Sequence, residues 1–228
     1  MKNDVQLQHD VLAELDWEPS VEAAQIGVTT RDGVVALTGH VATYAEKRTA
    51  EDVAKRVHGV LAVANDLEVR PPESHRCDDA DLAAAAVHAL RWDSHVPQDR
   101  IQVTVRDGVI SLEGTVDRRF QRMSAERAVR RLRGVLGVDN EIVVEHADAS
   151  APEHGGIASA LRRSASVNSR GINIELRDKQ VILTGDVRSH AERDEAERIA
   201  WRAPNVKHVE NCISITPWGQ GPAEEWGY

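Results

Sequence analysis

Read from Arg118, the string RRFQRMSAERAVRRLR sets seven arginines against the single acid Glu126. At 100° per residue, a helix that turns Ala125, Ala128, Val129 and Leu132 inward carries Arg119, Arg122, Arg127, Arg130 and Arg133 over one exposed flank. Phe120 and Met123 fall on the same side. Arginine mixed with exposed apolar side chains suits a helix lying on an anionic lipid surface, where each basic residue contributes about 1 kcal/mol. The same side chains also suit an acidic neighbour within the molecule, and on sequence both readings stand. Two tryptophans add a second candidate surface. Trp17 and Trp92 each sit two positions after a core leucine, Leu15 and Leu90, about 200° round the helix from it. They read as interdomain or interface residues, closing on a sheet edge, packing between units or meeting a lipid interface.

Other residue types with chemical potential form no site. The ten histidines are dispersed, and none pairs with another or with cysteine at the spacing metal ligation needs, so no metal site is expected. Cys77 and Cys212 lie far apart, without a C-x-x-C pattern, and read as reduced thiols. There is no nucleophile elbow, H-E-x-x-H, phosphate loop or dinucleotide fingerprint, so the chain reads as non-enzymatic and without a cofactor. Carboxylates such as Glu46, Glu51 and Asp52, or Glu192, Asp194, Glu195 and Glu197, read as solvated helix faces interleaved with Lys and Arg.

Composition bounds the rest. A net charge of −9 argues against nucleic acid as a partner, because that binding is driven by Lys and Arg on phosphates. With 41% hydrophobic and 29% charged residues the chain reads as globular. No run approaches the roughly 18 apolar residues of a membrane span. Nor does the start of the sequence show a secretory h-region, so a cytoplasmic protein, peripheral to the inner membrane if it meets lipid, is expected.

The elements that must carry these residues emerge from an internal repeat. Arg31–Gly39 reads RDGVVALTG, Arg106–Gly114 reads RDGVISLEG and Arg177–Gly185 reads RDKQVILTG, at offsets of 75 and 71. The register holds without gaps from Leu15, Leu90 and Leu161 to Asn65, Asn140 and Asn211. Within a unit, helical spacing at Leu7, Val11 and Leu15 gives way to alternation at Ile26, Val28 and Thr30. Asp32-Gly33, and Asp107-Gly108 in unit two, supply a hairpin turn before the second strand. Gly39, Gly114 and Gly185 break the pattern as turn or kink positions, and Gly59 and Gly134 sit where a helix end favours positive φ. A second helix from about residue 45 to 57 and a strand over 63–69 close the unit. The fold class is therefore α+β: three tandem αββαβ domains, each a three-stranded mixed sheet covered on one face by two helices. Domains are expected at residues 1–70, 77–146 and 153–217, with a tail over 218–228. Their formal charges are −6, −1 and −2 on dividing the chain after residues 73 and 147, so the acidic first unit is expected to meet the arginine helix of the second. In unit three, Lys179-Gln180 follows Asp178 where the others have Gly-Val, which predicts a different turn, and Asn205 stands as a left-handed helix end.

The string hydrophobic-x-V-x-x-D-G-V-x-L-x-G, then a helix, then G-V-x-x-V-x-N and a strand resembles the BON domain, named for bacterial osmotically inducible and nodulation proteins. The match rests on Asp32-Gly33, Gly39, Gly59-Val60 and Asn65 and their counterparts Asp107-Gly108, Gly114, Gly134-Val135 and Asn140. In unit three, Asn205-Val206 stands in for Gly-Val. The resemblance implies a bacterial, non-catalytic protein linked to osmotic or envelope stress, with phospholipid binding as the usual activity. The expected function is binding to an anionic phospholipid surface, or scaffolding of a protein partner or homo-oligomer, through tandem BON domains. The alternative is a cytoplasmic protein that binds a cation or small ligand.

Overall fold

The computed structural model describes residues 3–75, 77–145, 154–164, 167, 171–203, 206 and 208–216. The expected tail over 218–228 and the helix end at Asn205 lie outside these residues. Unit one runs α1 (Asp4–Trp17), β1 (Ile26–Arg31), β2 (Val34–Val41), α2 (Tyr44–Arg56), β3 (Ala62–Asn65) and β4 (Glu68–Val69). Unit two repeats it as α3 (Asp79–Trp92), β5 (Ile101–Arg106), β6 (Val109–Val116), α4 (Arg119–Val129), β7 (Gly137–Asn140) and β8 (Val143–Val144). Unit three comprises α5 (His154–Arg163), β9 (Ile172–Arg177), β10 (Gln180–Val187), α6 (His190–Arg202) and β11 (His208–Ile215).

Each sheet is mixed. β1 and β2 form an antiparallel hairpin, and β3 and β4 run parallel to β2 in one continuous register, Val34 with Ala62 and Val41 with Val69. They are one strand interrupted at Asp66-Leu67, where Leu67 turns into the core, and unit three keeps that strand unbroken as β11. A parallel return needs a crossover, which α2 supplies over the face that α1 also covers. The cores follow the helical spacing: Leu7, Val11 and Leu15 of α1 and Leu82, Ala86 and Leu90 of α3 are buried against strand residues such as Leu37 and Leu112. Ala50, Ala125 and Ala196 are fully buried in the second helices, small enough to let each helix close on its sheet.

The turn chemistry holds with one correction. Asp32, Asp107 and Asp178 all take positive φ, but Gly33 and Gly108 follow the first two at positive φ while Lys179 does not do so after Asp178, which gives unit three the different turn its sequence predicts. In units one and two the turn amides are received by a helix carboxylate: Asp4 accepts from Asp32 and Gly33, and Asp79 from Asp107 and Gly108 at 2.8 and 2.9 Å. Gly39, Gly114 and Gly185 are not turns. They lie inside β2, β6 and β10, where a Cβ would overlap the carbonyl oxygens of Gln25, Arg100 and Gly171. Glycine is required there by close backbone approach at positive φ.

Candidate binding surface on the second repeat

A clamp recurring in all three units sets where each second helix stands. The side-chain amide of Asn65 donates to the Lys47 carbonyl at 3.1 Å and to Glu51 Oε2 at 3.2 Å, while its oxygen accepts from Leu67 N–H at 3.3 Å. Asn140 repeats this with Arg122, Glu126 and Ile142, and Asn211 with Arg193, Glu197 and Ile213. The basic residue of the clamp closes it from the other side: Lys47 Nζ donates to the Leu67 carbonyl, Arg122 to that of Asn140 and Arg193 to that of Asn211. Burial pushes the Glu51 carboxyl up, but bonds from Lys55 and Asn65 and the charges of Arg48 and Lys55 outweigh it and hold it below its ordinary value.

These glutamates are therefore not solvated-face residues, and neither is Glu46. Buried at the start of α2, Glu46 accepts from the amides of Glu22 at 2.7 Å and Ala42 at 2.9 Å, while Thr43 caps the helix in return. Gln121 and Glu192 take its place in the other units, accepting from the amides of Arg118 and Arg188. The signal was in the sequence: Glu51, Glu126 and Glu197 recur at the same offsets as the asparagines.

The arginine flank divides into engaged and free members. The helix α4 ends at Val129, so Arg130, Arg131 and Arg133 lie in the turn beyond it and the 100° fan stops short of them. Arg122 is bound in the clamp. Arg119 crosses to unit three, where its Nη2 donates to Glu197 Oε1 at 3.0 Å and its guanidinium lies 4.5 Å from the Trp201 ring centroid. The acidic first unit is thus not the receiver of this charge; its contact with unit two is made by Tyr44, which packs against the second core. What remains exposed is Arg118, Arg127, Arg131 and Arg133, together with Phe120 at 52% and Met123 at 43% of full exposure. Phe120 meets the His95 ring edge-on at a centroid distance of 5.9 Å, so the start of α4 adjoins the loop after Trp92.

Among the described residues, Trp17 and Trp92 pack into neither a core nor a contact between units. They are 84% and 76% exposed, each the last residue of its helix, and the chain leaves in extended conformation at Glu18 and Asp93 without folding back over them. Trp92 donates only locally, to His88 Nε2 at 3.0 Å. In unit three an open cleft of about 270 Å³ lies between α5 and α6, lined by Ala160, Arg163, Ser164, Glu195, Ile199 and Arg202. Among the described residues, no three His, Cys, Asp or Glu stand together as a metal site would require, and no helix is long and apolar enough to cross a membrane.

The BON domain model matches the chain over residues 3–71, 78–146 and 156–217. Osmotically-inducible protein Y of Escherichia coli (strain K12) is 32% identical over 136 residues, covering 58% of this chain and 68% of that protein. Among solved structures, the type III secretion system structural protein CdsD of Chlamydia trachomatis aligns over 93% of both chains at 14% identity with a TM-score of 0.25. Its C-terminal domain aligns over 94% of this chain and all of its own at 14% identity and 0.26, and at such scores neither likeness carries an argument. Three consecutive matches fall on the three units that share one strand order and one asparagine clamp, and the chain belongs to the BON-domain family.

Proposed function

We propose that the protein is a non-catalytic, osmotic-stress-associated binding protein that meets an anionic phospholipid surface, at the cytoplasmic face of the inner membrane, through its second domain. The observation that supports this reading is the surface where exposed Phe120, Met123 and Trp92 share one domain with exposed Arg127, Arg131 and Arg133. Aromatic rings settle at the headgroup boundary, and the guanidinium groups add attraction to lipid phosphate. The stress association rests on the likeness to osmotically-inducible protein Y of Escherichia coli.

The test compares the full-length protein on anionic and neutral vesicles. Binding should favour the anionic vesicles and weaken steeply between about 0.1 M and 1 M salt, as the Debye length falls from about 10 Å to about 3 Å. Replacing Arg127, Arg131 and Arg133 together by Gln should remove most of that preference without unfolding the domain, because all three are exposed. Equal binding to both vesicle types would refute the reading. Scaffolding of a protein partner is the second reading, favoured by the exposure of Trp17 outside the second domain. Retention of a partner with loss on Trp17→Ala, and without vesicle binding, would select it. Among the described residues, no cluster of metal-ligating side chains favours the cation reading.

A further inference from the structure

Tyr44, Arg119 and His190 occupy one repeat position, at the offsets of 75 and 71, and each is the first residue of its second helix. Each leaves its own domain. Tyr44 packs against the core of domain two, facing Glu126 and the Val138 backbone, and burial is the largest cause holding its phenol above the ordinary value. Arg119 reaches Glu197 and Trp201 of domain three. His190, 7% exposed, places Nε2 at 2.9 Å from the Leu61 carbonyl of domain one, near Lys55. The receiving surfaces correspond as well: Glu126 and Glu197 are one repeat position, and Lys55, Arg130 and Trp201 are another. Every domain gives one contact and receives one.

We infer that the three domains close into a head-to-tail ring, one to two to three to one, and that the residue at the 44/119/190 position determines which neighbour each domain accepts. A heterologous contact repeated three times leaves no free donor or acceptor end only if the rotation closes. The order is enforced by exclusion as much as by fit. The guanidinium of Arg119 stacks on Trp201; on domain one the same place offers Lys55 and on domain two Arg130, both like charges. Domain three is thus the acceptor whose chemistry suits it. The inference is independent of the lipid reading, since it concerns side chains turned inward between domains.

The experiment uses the full chain and its own thiols. Cys77 and Cys212 are free and exposed, one at the start of domain two and one on β11 of domain three, so spin labels on them read the two-to-three junction by pulsed dipolar spectroscopy. The parent should give a single narrow distance. Arg119→Glu should broaden or displace it, and so should Trp201→Lys, a variant the fold accommodates because Lys55 and Arg130 occupy the equivalent positions. His190→Asp should open the three-to-one junction, raise the radius of gyration in solution scattering and expose ends that self-associate with concentration. Far-ultraviolet circular dichroism identifies any variant that has lost its domains rather than its docking; Trp201→Lys then decides the two-to-three junction and His190→Gln the three-to-one junction. A broad distance in the parent, or parent-like distances and scattering in folded variants, would overturn the ring.

Discussion

Replacing Asn140 by Ala removes three hydrogen bonds at once: to the Arg122 carbonyl at 3.1 Å, to Glu126 at 3.2 Å and from Ile142 N–H at 3.3 Å. Two neutral bonds at about 1 kcal/mol each and one to a carboxylate at about 1.5 kcal/mol give roughly 3 kcal/mol after water recovers part of the half-buried contacts. For a domain of this size that lowers Tm by about 12 to 24 °C, at roughly 4–8 °C per kcal/mol. Calorimetry of the full chain should show one transition displaced by that amount, and urea titration should show a lower midpoint at nearly unchanged slope. Asn140→Asp sharpens the test. It keeps an oxygen for Ile142 but sets a second carboxylate against Glu126, so it should be at least as damaging as Asn140→Ala at neutral pH. A loss under about 0.5 kcal/mol for Asn140→Ala, the range of an ordinary surface change, would refute the clamp as a stabilising element.

Gly114→Ala should cost more than about 3 kcal/mol, since it combines positive-φ strain with overlap on the Arg100 carbonyl, and the second domain's thermal transition should shift or vanish. Glu46→Ala strips the amides of Glu22 and Ala42 of their acceptor and should lower stability by about 2 kcal/mol in urea, with Glu46→Gln intermediate. Burial pushes the His190 imidazole below its ordinary value, its bond to the Leu61 carbonyl and the charge of Asp194 opposing and Lys55 and Arg193 assisting. A depressed histidine is worth most above its unfolded value, so its contribution is lost as pH falls through about 6.5 toward the folded value. Asp194, raised chiefly by burial, acts in the more acidic window and with the opposite sign: it favours the folded state at low pH and loses that benefit as pH rises. The stability difference between the parent and His190→Gln should therefore shrink between about pH 7.5 and 5.5; a constant difference would refute the buried neutral imidazole.

What the sequence displayed was whatever repeats by identity. Alternation, helical spacing, the Asp-Gly turns and the recurrence of Asn65, Asn140 and Asn211 are enough to order each domain, because each is a local demand of backbone geometry. The clamp glutamates were equally visible by recurrence, yet their charge suggested solvent until the partner asparagine was seen beside them. The docking position was hidden for the opposite reason: Tyr, Arg and His share no identity, and what unites them is a place on a helix facing another domain. The arginine flank was overextended because a 100° projection carries no information about where the helix stops. For the tryptophans, spacing leaves sheet edge, unit contact and lipid interface open together, because a residue at a helix end is covered only if the next segment turns back across it.

Between β2 and its parallel partner the chain keeps one length. Val34 pairs with Ala62, Val109 with Gly137 and Gln180 with His208, a span of 28 residues each time, although the helices between them differ widely in sequence. One inserted residue in that span would turn the second helix by about 100° or put the strand's core side chains on the opposite face of the sheet. Such a domain resists changes of length where it tolerates changes of letter. Fused peptides, protease sites or reporter insertions belong in the connections between domains, such as the segment opening at Pro71-Pro72, and a library randomised over the second helix should keep its length fixed while freeing almost every outward position.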